Sequence, residues 1–271
     1  RLIALDLDGT LLNEKMHVSE KTRQVMELCA QRGIEIVPAT GRALSAVPEE
    51  VLSLPGVHYG IFTNGAVVRD FGKNTWVSES CLSWEKTIRV IEVLRRHPVI
   101  YDMYVSEGGV SETRLLAQLE EYGIPERECA YIRATRRAVT DMVEYLREKK
   151  CPVQKMNLNF KDRESKQAVR AKLEAMPEVL VTSSLPWNLE LNAAGITKGS
   201  GLRNLCQYLG IEAEETMAFG DGENDWPMLE AAGIGVAMEN GAPFLKERAD
   251  RIAASNREEG VAEAIRQWVL I

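Results

Sequence analysis

The chain has 271 residues, 45% hydrophobic and 27% charged, and a net charge of −7, a balance that supports one large or two ordinary globular domains and offers no basic field for a nucleic-acid partner. Five scattered cysteines (29, 81, 129, 151, 206) without a Cys-x-x-Cys pair read as reduced thiols of a cytoplasmic protein, and three unpaired histidines give little support to zinc hydrolysis or a histidine triad. No apolar stretch approaches the roughly 18 residues of a membrane span, and no signal peptide is expected ahead of the first strand.

The apolar run Leu2-Ile3-Ala4-Leu5 predicts a buried parallel strand, and Asp6-Leu7-Asp8-Gly9-Thr10 follows it directly. Ligands bind at the carboxyl ends of strands in open α/β sheets. Side chains two apart on a strand share a side, so the pattern expects Asp6 and Asp8 in one crevice, with Gly9 turning the backbone away. Two close carboxylates can divide acid and base work, and they make a hard-oxygen nest suited to Mg²⁺. The plain alternative is a helix cap or an Asx-turn.

Ser19 then caps a predicted helix to about residue 32, closed by Gly33, and residues 34–37 form a second strand leading into Pro38-Ala39-Thr40-Gly41-Arg42. A helix over 43–54, stopped by Pro55-Gly56, completes a βαβ unit. Residues 59–63 and 66–69 flank Asn64-Gly65 as a hairpin with a type I′ turn. From about 82 the character changes. Helices are expected near 84–96, 112–122, 140–149 and 163–176, and strands near 99–105, 131–133, 153–160 and 179–183. Lys155, Asn157 and Asn159 alternate with Met156, Leu158 and Phe160, the period of a sheet with one polar face, either simply wet or reading a substrate. The βαβ rhythm resumes with a strand over 188–192 and a helix opened by Ile196-Thr197-Lys198-Gly199. Thr216-Met217-Ala218-Phe219 is a further buried strand, ending in Gly220-Asp221-Gly222-Glu223-Asn224-Asp225; a helix to 232, short strands over 235–238 and 251–254 and a helix over 258–269 close the chain. The fold expected is α/β, a Rossmann-like doubly wound parallel sheet (1–81 and 186–271) with an inserted α+β domain (82–185).

If both halves form one sheet, Asp6, Asp8, Thr40, Lys198, Asp221, Asn224 and Asp225 gather at its strand ends. Carboxylates then supply oxygens for a cation, while Thr40, Lys198 and loop amides supply donors for a phosphoryl group. A carboxylate can attack phosphorus to give an aspartyl-phosphate, and a second carboxylate can move the proton. Taken singly, Lys198 is an ordinary helix-start lysine, Thr40 a cap, and Asp225 a charge favoured at a helix N-terminus.

Asp-x-Asp-Gly-Thr at 6–10, Thr40 in Ala39-Thr40-Gly41-Arg42, Lys198, and Gly-Asp-x-x-Asn-Asp at 220–225 resemble, in order, the four motifs of the haloacid dehalogenase superfamily. The insertion resembles the type B C2 cap of its Cof-like hydrolases, as do Thr63-Asn64-Gly65-Ala66 and the tail Ser255-Asn256-Arg257-Glu258-Glu259-Gly260-Val261-Ala262. Glu239, where that subfamily often has Gly, and Trp226, where an aliphatic is usual, depart from the pattern. The resemblance implies a Mg²⁺-dependent phosphatase acting on a small phosphorylated metabolite, a sugar phosphate or phosphorylated cofactor. Asp6 would be the nucleophile and a metal ligand, Asp8 the general acid/base with its backbone carbonyl on the metal, and Asp221 the third metal ligand. Thr40, Gly41, Lys198 and Asn224 would bind phosphate, with Asp225, Asn64 and Arg42 in support. A phosphomutase on the same fold, or a non-catalytic binding protein, are the alternatives.

Overall fold

The computed structural model describes residues 1–270, which divide into two compact units. The first holds Arg1–Glu79 together with the chain from Ile196; the second is Ser80–Gly195.

The first unit opens with β1 (Leu2–Leu5), α1 (Glu20–Gln31), β2 (Glu35–Pro38), α2 (Glu49–Leu52), β3 (Tyr59–Phe62), β4 (Val67–Asp70) and β5 (Thr75–Glu79). Ser19 does cap α1, accepting from the Thr22 amide. The helix expected over 43–54 is instead a 3-10 turn, Leu44–Ala46, and the single turn α2. Pro48 explains the break: its ring drives Val47 into an extended conformation (φ −83°, ψ 130°). The expected two-residue hairpin turn is likewise a four-residue loop, since Phe62 pairs with Val67. Thr63, Asn64 and Gly65 all have positive φ there. β5 is an exposed edge strand with little apolar alternation, so the sequence carries no strand signal there.

The second unit contains α3 (Trp84–Leu94), β6 (Ile100–Val105), β7 (Gly108–Glu112), α4 (Thr113–Leu116), α5 (Glu126–Thr135), β8 (Arg136–Val139), α6 (Met142–Lys149), β9 (Lys155–Asn159), α7 (Arg163–Glu174), β10 (Val179–Thr182) and β11 (Asn188–Ala193). Its six strands run in the order β10-β11-β9-β6-β7-β8, antiparallel except for the β7–β8 pair. Three expectations change: the helix near 112–122 is instead the single turn α4 and a 3-10 turn, Leu119–Tyr122. Residues 131–133 lie inside α5, and the strand at 188–192, assigned to the parallel domain, pairs antiparallel with β9 and β10. Its alternation of Asn188, Glu190 and Asn192 with Leu189 and Leu191 is the mark of a one-faced sheet. The polar face is not simply wet either: Lys155 and Glu190 form a buried ion pair at 2.8 Å, and Arg136 and Asp102 another at 3.2 Å.

The first unit resumes with α8 (Lys198–Leu209), β12 (Thr216–Gly220), α9 (Trp226–Ala231), β13 (Ile234–Met238), α10 (Pro243–Arg248), β14 (Arg251–Ala253) and α11 (Gly260–Trp268). All pairs in the sheet β14-β13-β12-β1-β2 are parallel. Ile3 and Leu5 pack into one apolar cluster and Leu2 and Ala4 into another, so both faces of β1 are covered. Burial on both faces is why this strand reads as a continuous apolar run. Among the described residues no helix is long and apolar enough to cross a membrane.

Candidate active site

The site is assembled where β1 and β12, adjacent and parallel, end side by side. The Asp6 amide donates to the Phe219 carbonyl (3.1 Å), extending the pairing by one residue. The chain then coils: the Leu11 amide donates to the Asp6 carbonyl, and those of Thr10 and Leu12 to Leu7. Gly9 sits at φ +85°, and a Cβ there would strike the Asp221 carboxylate, so only glycine permits this approach of the two loops. Thr10 Oγ1 donates to Asp221 Oδ1 at 3.2 Å.

Lys198 is the first residue of α8, set in place by a capping box between Thr197 and Ser200. Its side chain is 0% exposed, and Nζ donates to Asp6 Oδ1 and Asp225 Oδ1, each at 2.5 Å. The other oxygen of Asp225 accepts from the amides of Asp221 (2.9 Å) and Gly222 (2.8 Å). Asp225 is thus the post that fixes both the lysine and the acidic loop. Its spacing to Asp221 made it visible in the sequence, but its bond to Lys198 depends on a contact across 27 residues.

Carboxylate oxygens of Asp6, Asp221 and Asp225 lie within 4.8 Å of one another. Burial, then the negative charge of Asp225, pushes the Asp221 carboxyl up to about 7. The same two causes in the same order hold Asp6 well above the ordinary carboxylate range, against the pull of Lys198. Burial by itself would lower Lys198, yet Asp225 and Asp6 outweigh it and raise its pKa. Three carboxylates facing one ammonium leave the cluster short of positive charge. Clustered hard oxygens with a charge deficit fit Mg²⁺.

The second expected block lies beside this cluster's sheet. Thr40 is buried, its amide donates to the Ile61 carbonyl (2.8 Å), and its hydroxyl accepts from the Arg42 amide (3.1 Å). Gly41 occupies the bend that follows. The Asn64 amide donates to the Thr40 carbonyl (3.1 Å), and Asn224 Nδ2 to Asn64 Oδ1 (3.2 Å), so Thr40, Asn64 and Asn224 form one connected chain. Asp8 stands apart. Its carboxylate, 49% exposed, is gripped by Arg42 through Nε (2.8 Å) and Nη2 (2.6 Å). The structure therefore brings Asp6, Asp221, Asp225 and Lys198 together but directs the Asp8 carboxylate to Arg42. The shared side expected for Asp6 and Asp8 required a continuing strand, and the coil after Asp6 ends it.

A buried carboxylate held by a lysine, next to a cation-seeking acidic cluster and a hydroxyl- and amide-rich turn, is suited to nucleophilic attack on an anionic electrophile. A model of the haloacid dehalogenase-like hydrolase family matches residues 3–265. The chain is 30% identical over 274 residues to 5-amino-6-(5-phospho-D-ribitylamino)uracil phosphatase YcsE of Bacillus subtilis, covering 100% of this chain and 96% of that one. It is 28% identical to pyridoxal phosphate phosphatase YbhA of Escherichia coli, covering 98% and 97% of the two chains. A haloacid dehalogenase-like hydrolase structure from Bacillus subtilis superposes with a TM-score of 0.85 at 28% identity, over 99% of both chains. The parallel sheet with its separate, mostly antiparallel domain matches family structures that carry a cap, and the chain is an enzyme belonging to the haloacid dehalogenase-like hydrolases.

Proposed function

We propose that the protein is a Mg²⁺-dependent phosphatase that hydrolyses a small phosphate monoester through an aspartyl-phosphate on Asp6. The observation that carries this reading is the grip of fully buried Lys198 on Asp6. It fixes one carboxylate oxygen and leaves the other for attack. Mg²⁺ would be held by the carboxylates of Asp6 and Asp221 and the backbone carbonyl of Asp8, and when bound it screens charge between nucleophile and phosphoryl group. Thr40, the Gly41 amide and Asn224 orient the phosphoryl oxygens, with Lys198 beside them and Asp225, Asn64 and Arg42 in support. Asp8 gives its proton to the leaving oxygen and takes one from the water that releases phosphate. Arg42 must yield its hold on Asp8 during turnover. The names of two relatives, phosphatases of a ribitylaminouracil phosphate and of pyridoxal phosphate, support a phosphorylated cofactor or sugar phosphate as substrate.

The test is hydrolysis of p-nitrophenyl phosphate with Mg²⁺ and with a chelator, for the wild type and Asp6→Asn, followed by a panel of phosphorylated metabolites. Metal-dependent turnover that falls more than about a thousandfold in the variant supports the covalent route. Turnover that survives the substitution removes Asp6 as nucleophile.

A further inference from the structure

Two asparagines outside the four motif blocks hold the loop that carries Asp8. Within residues 6–12 the internal hydrogen bonds use the carbonyls of Asp6 and Leu7. The carbonyls of Gly9 and Leu12 instead accept from Asn240 Nδ2 and Asn256 Nδ2, both at 2.8 Å. The two asparagines are themselves joined, since the Asn256 amide donates to Asn240 Oδ1 at 3.1 Å. They sit in the loops after β13 and β14, which the Glu239 amide ties together through the Ala253 carbonyl (2.9 Å). Two residues beyond Asn240, the Ala242 amide donates to the Asp221 carbonyl at 2.9 Å. One brace thus spans the Asp8 loop, the acidic loop and the C-terminal tail.

Asn240 is exposed. Water could satisfy its amide and the Gly9 carbonyl equally well, and an exposed hydrogen bond contributes little net stability. What this bond supplies is orientation. The Gly9 carbonyl belongs to the peptide group just after the Asp8–Gly9 unit, and Gly9 has the backbone freedom to swing if that carbonyl is released.

We infer that Asn240 and Asn256 are positioning residues that aim Asp8 at the leaving oxygen, an inference resting on the phosphatase reading above. In the step they serve, the Asp6 oxygen–phosphorus bond forms, the bond from phosphorus to the leaving oxygen breaks, and the Asp8 proton passes to that oxygen. A leaving group that departs as a stable anion needs this proton little; a basic one needs it throughout.

The experiment compares p-nitrophenyl phosphate with phenyl phosphate, whose leaving group is the more basic, for wild type, Asn240→Leu and Asn256→Leu, with Asp6→Asn alongside. A displacement of about 1 Å costs on the order of a hundredfold in rate, so kcat/KM of Asn240→Leu on phenyl phosphate, which reports the steps up to departure of the leaving group, should fall by about that factor. On p-nitrophenyl phosphate the loss in kcat/KM should stay below about threefold, because release of phosphate by water, which also uses Asp8 and is common to both substrates, does not enter that ratio. Asn256→Leu, which reaches the same loop by a separate bond, should show the same selectivity and stands in if Asn240→Leu does not fold. Equal losses in kcat/KM on the two substrates, or none, overturn the inference. Full activity in Asp6→Asn overturns the phosphatase reading instead, so the two failures are distinct.

Discussion

Both units bury charge, and they do it differently. On the polar face of the second unit's sheet, Lys155 meets Glu190 with side chains 4% and 6% exposed, and Arg136 meets Asp102 while lying over the Tyr104 ring. Each cation there has its own anion. In the first unit Lys198 serves Asp6 and Asp225 at once, with Asp221 close by. Balanced pairs are complete in themselves, and their removal together is commonly neutral. An unbalanced cluster costs stability, shifts Asp221 to about 7 and calls for a cation from outside. Degree of burial does not separate the two kinds of buried charge here; the local charge balance does.

The sharpest way to break this contrast is Lys198→Met. Leaving buried carboxylates without their cation should cost about 4 kcal/mol in urea unfolding, and turnover should vanish. A wild-type unfolding midpoint would mean that the lysine does not anchor the cluster. In the second unit, Glu190→Gln strands Lys155 and should cost about 3 kcal/mol, whereas the double variant Lys155→Met/Glu190→Leu should unfold within about 1 kcal/mol of wild type. A double variant as unstable as the single one would show that the pair is more than self-compensating.

The same contrast explains what the sequence disclosed. Asp6, Asp221 and Lys198 were legible because each lies at or beside the end of a buried, continuous apolar strand or at a helix start, positions set by local pattern. Thr40 was legible for the same reason. The pairing of Asp225 with Lys198 and of Arg42 with Asp8 was not, because it depends on loops meeting across 27 and 34 residues. The place of the 188–192 strand after the insertion points to the parallel domain, although its alternation of Asn and Glu with Leu marks a one-faced sheet. Lys155 reads as a polar-face residue from its local alternation, but its partner Glu190 comes from that other strand, so the buried pair is not legible locally. Pro48 was a local signal that the helix over 43–54 could not be continuous.

If the first unit's cluster awaits a cation, Mg²⁺ should stabilise the wild type. At a hundred times its dissociation constant the gain is about 2.7 kcal/mol, or about 5 °C in Tm for a chain of this size. Ca²⁺-free buffer with Mg²⁺ and with a chelator, read by thermal melting, is sufficient. An unchanged Tm across a Mg²⁺ titration that supports turnover would place the metal elsewhere.

The smallest expected effect separates the cluster from an ordinary salt-bridge network most cleanly. Asp221→Asn removes one carboxylate from a site with too many. Because the folded state raises this carboxyl from the ordinary value near 3.8 to about 7, it binds a proton more tightly folded than unfolded. Its favourable contribution is present at low pH and is lost as pH rises through about 7, so wild type carries the penalty at pH 8 and not below about 4. The replacement amide is itself a buried polar group, so only part of that penalty is relieved, and the metal-free variant should melt about 2–4 °C above metal-free wild type at pH 8, with the gap closing on acidification. Mg²⁺ should then stabilise the variant far less than the wild type. A carboxylate belonging to a balanced pair would behave in the opposite sense, its removal lowering Tm at pH 8, and that outcome would erase the distinction between the two units.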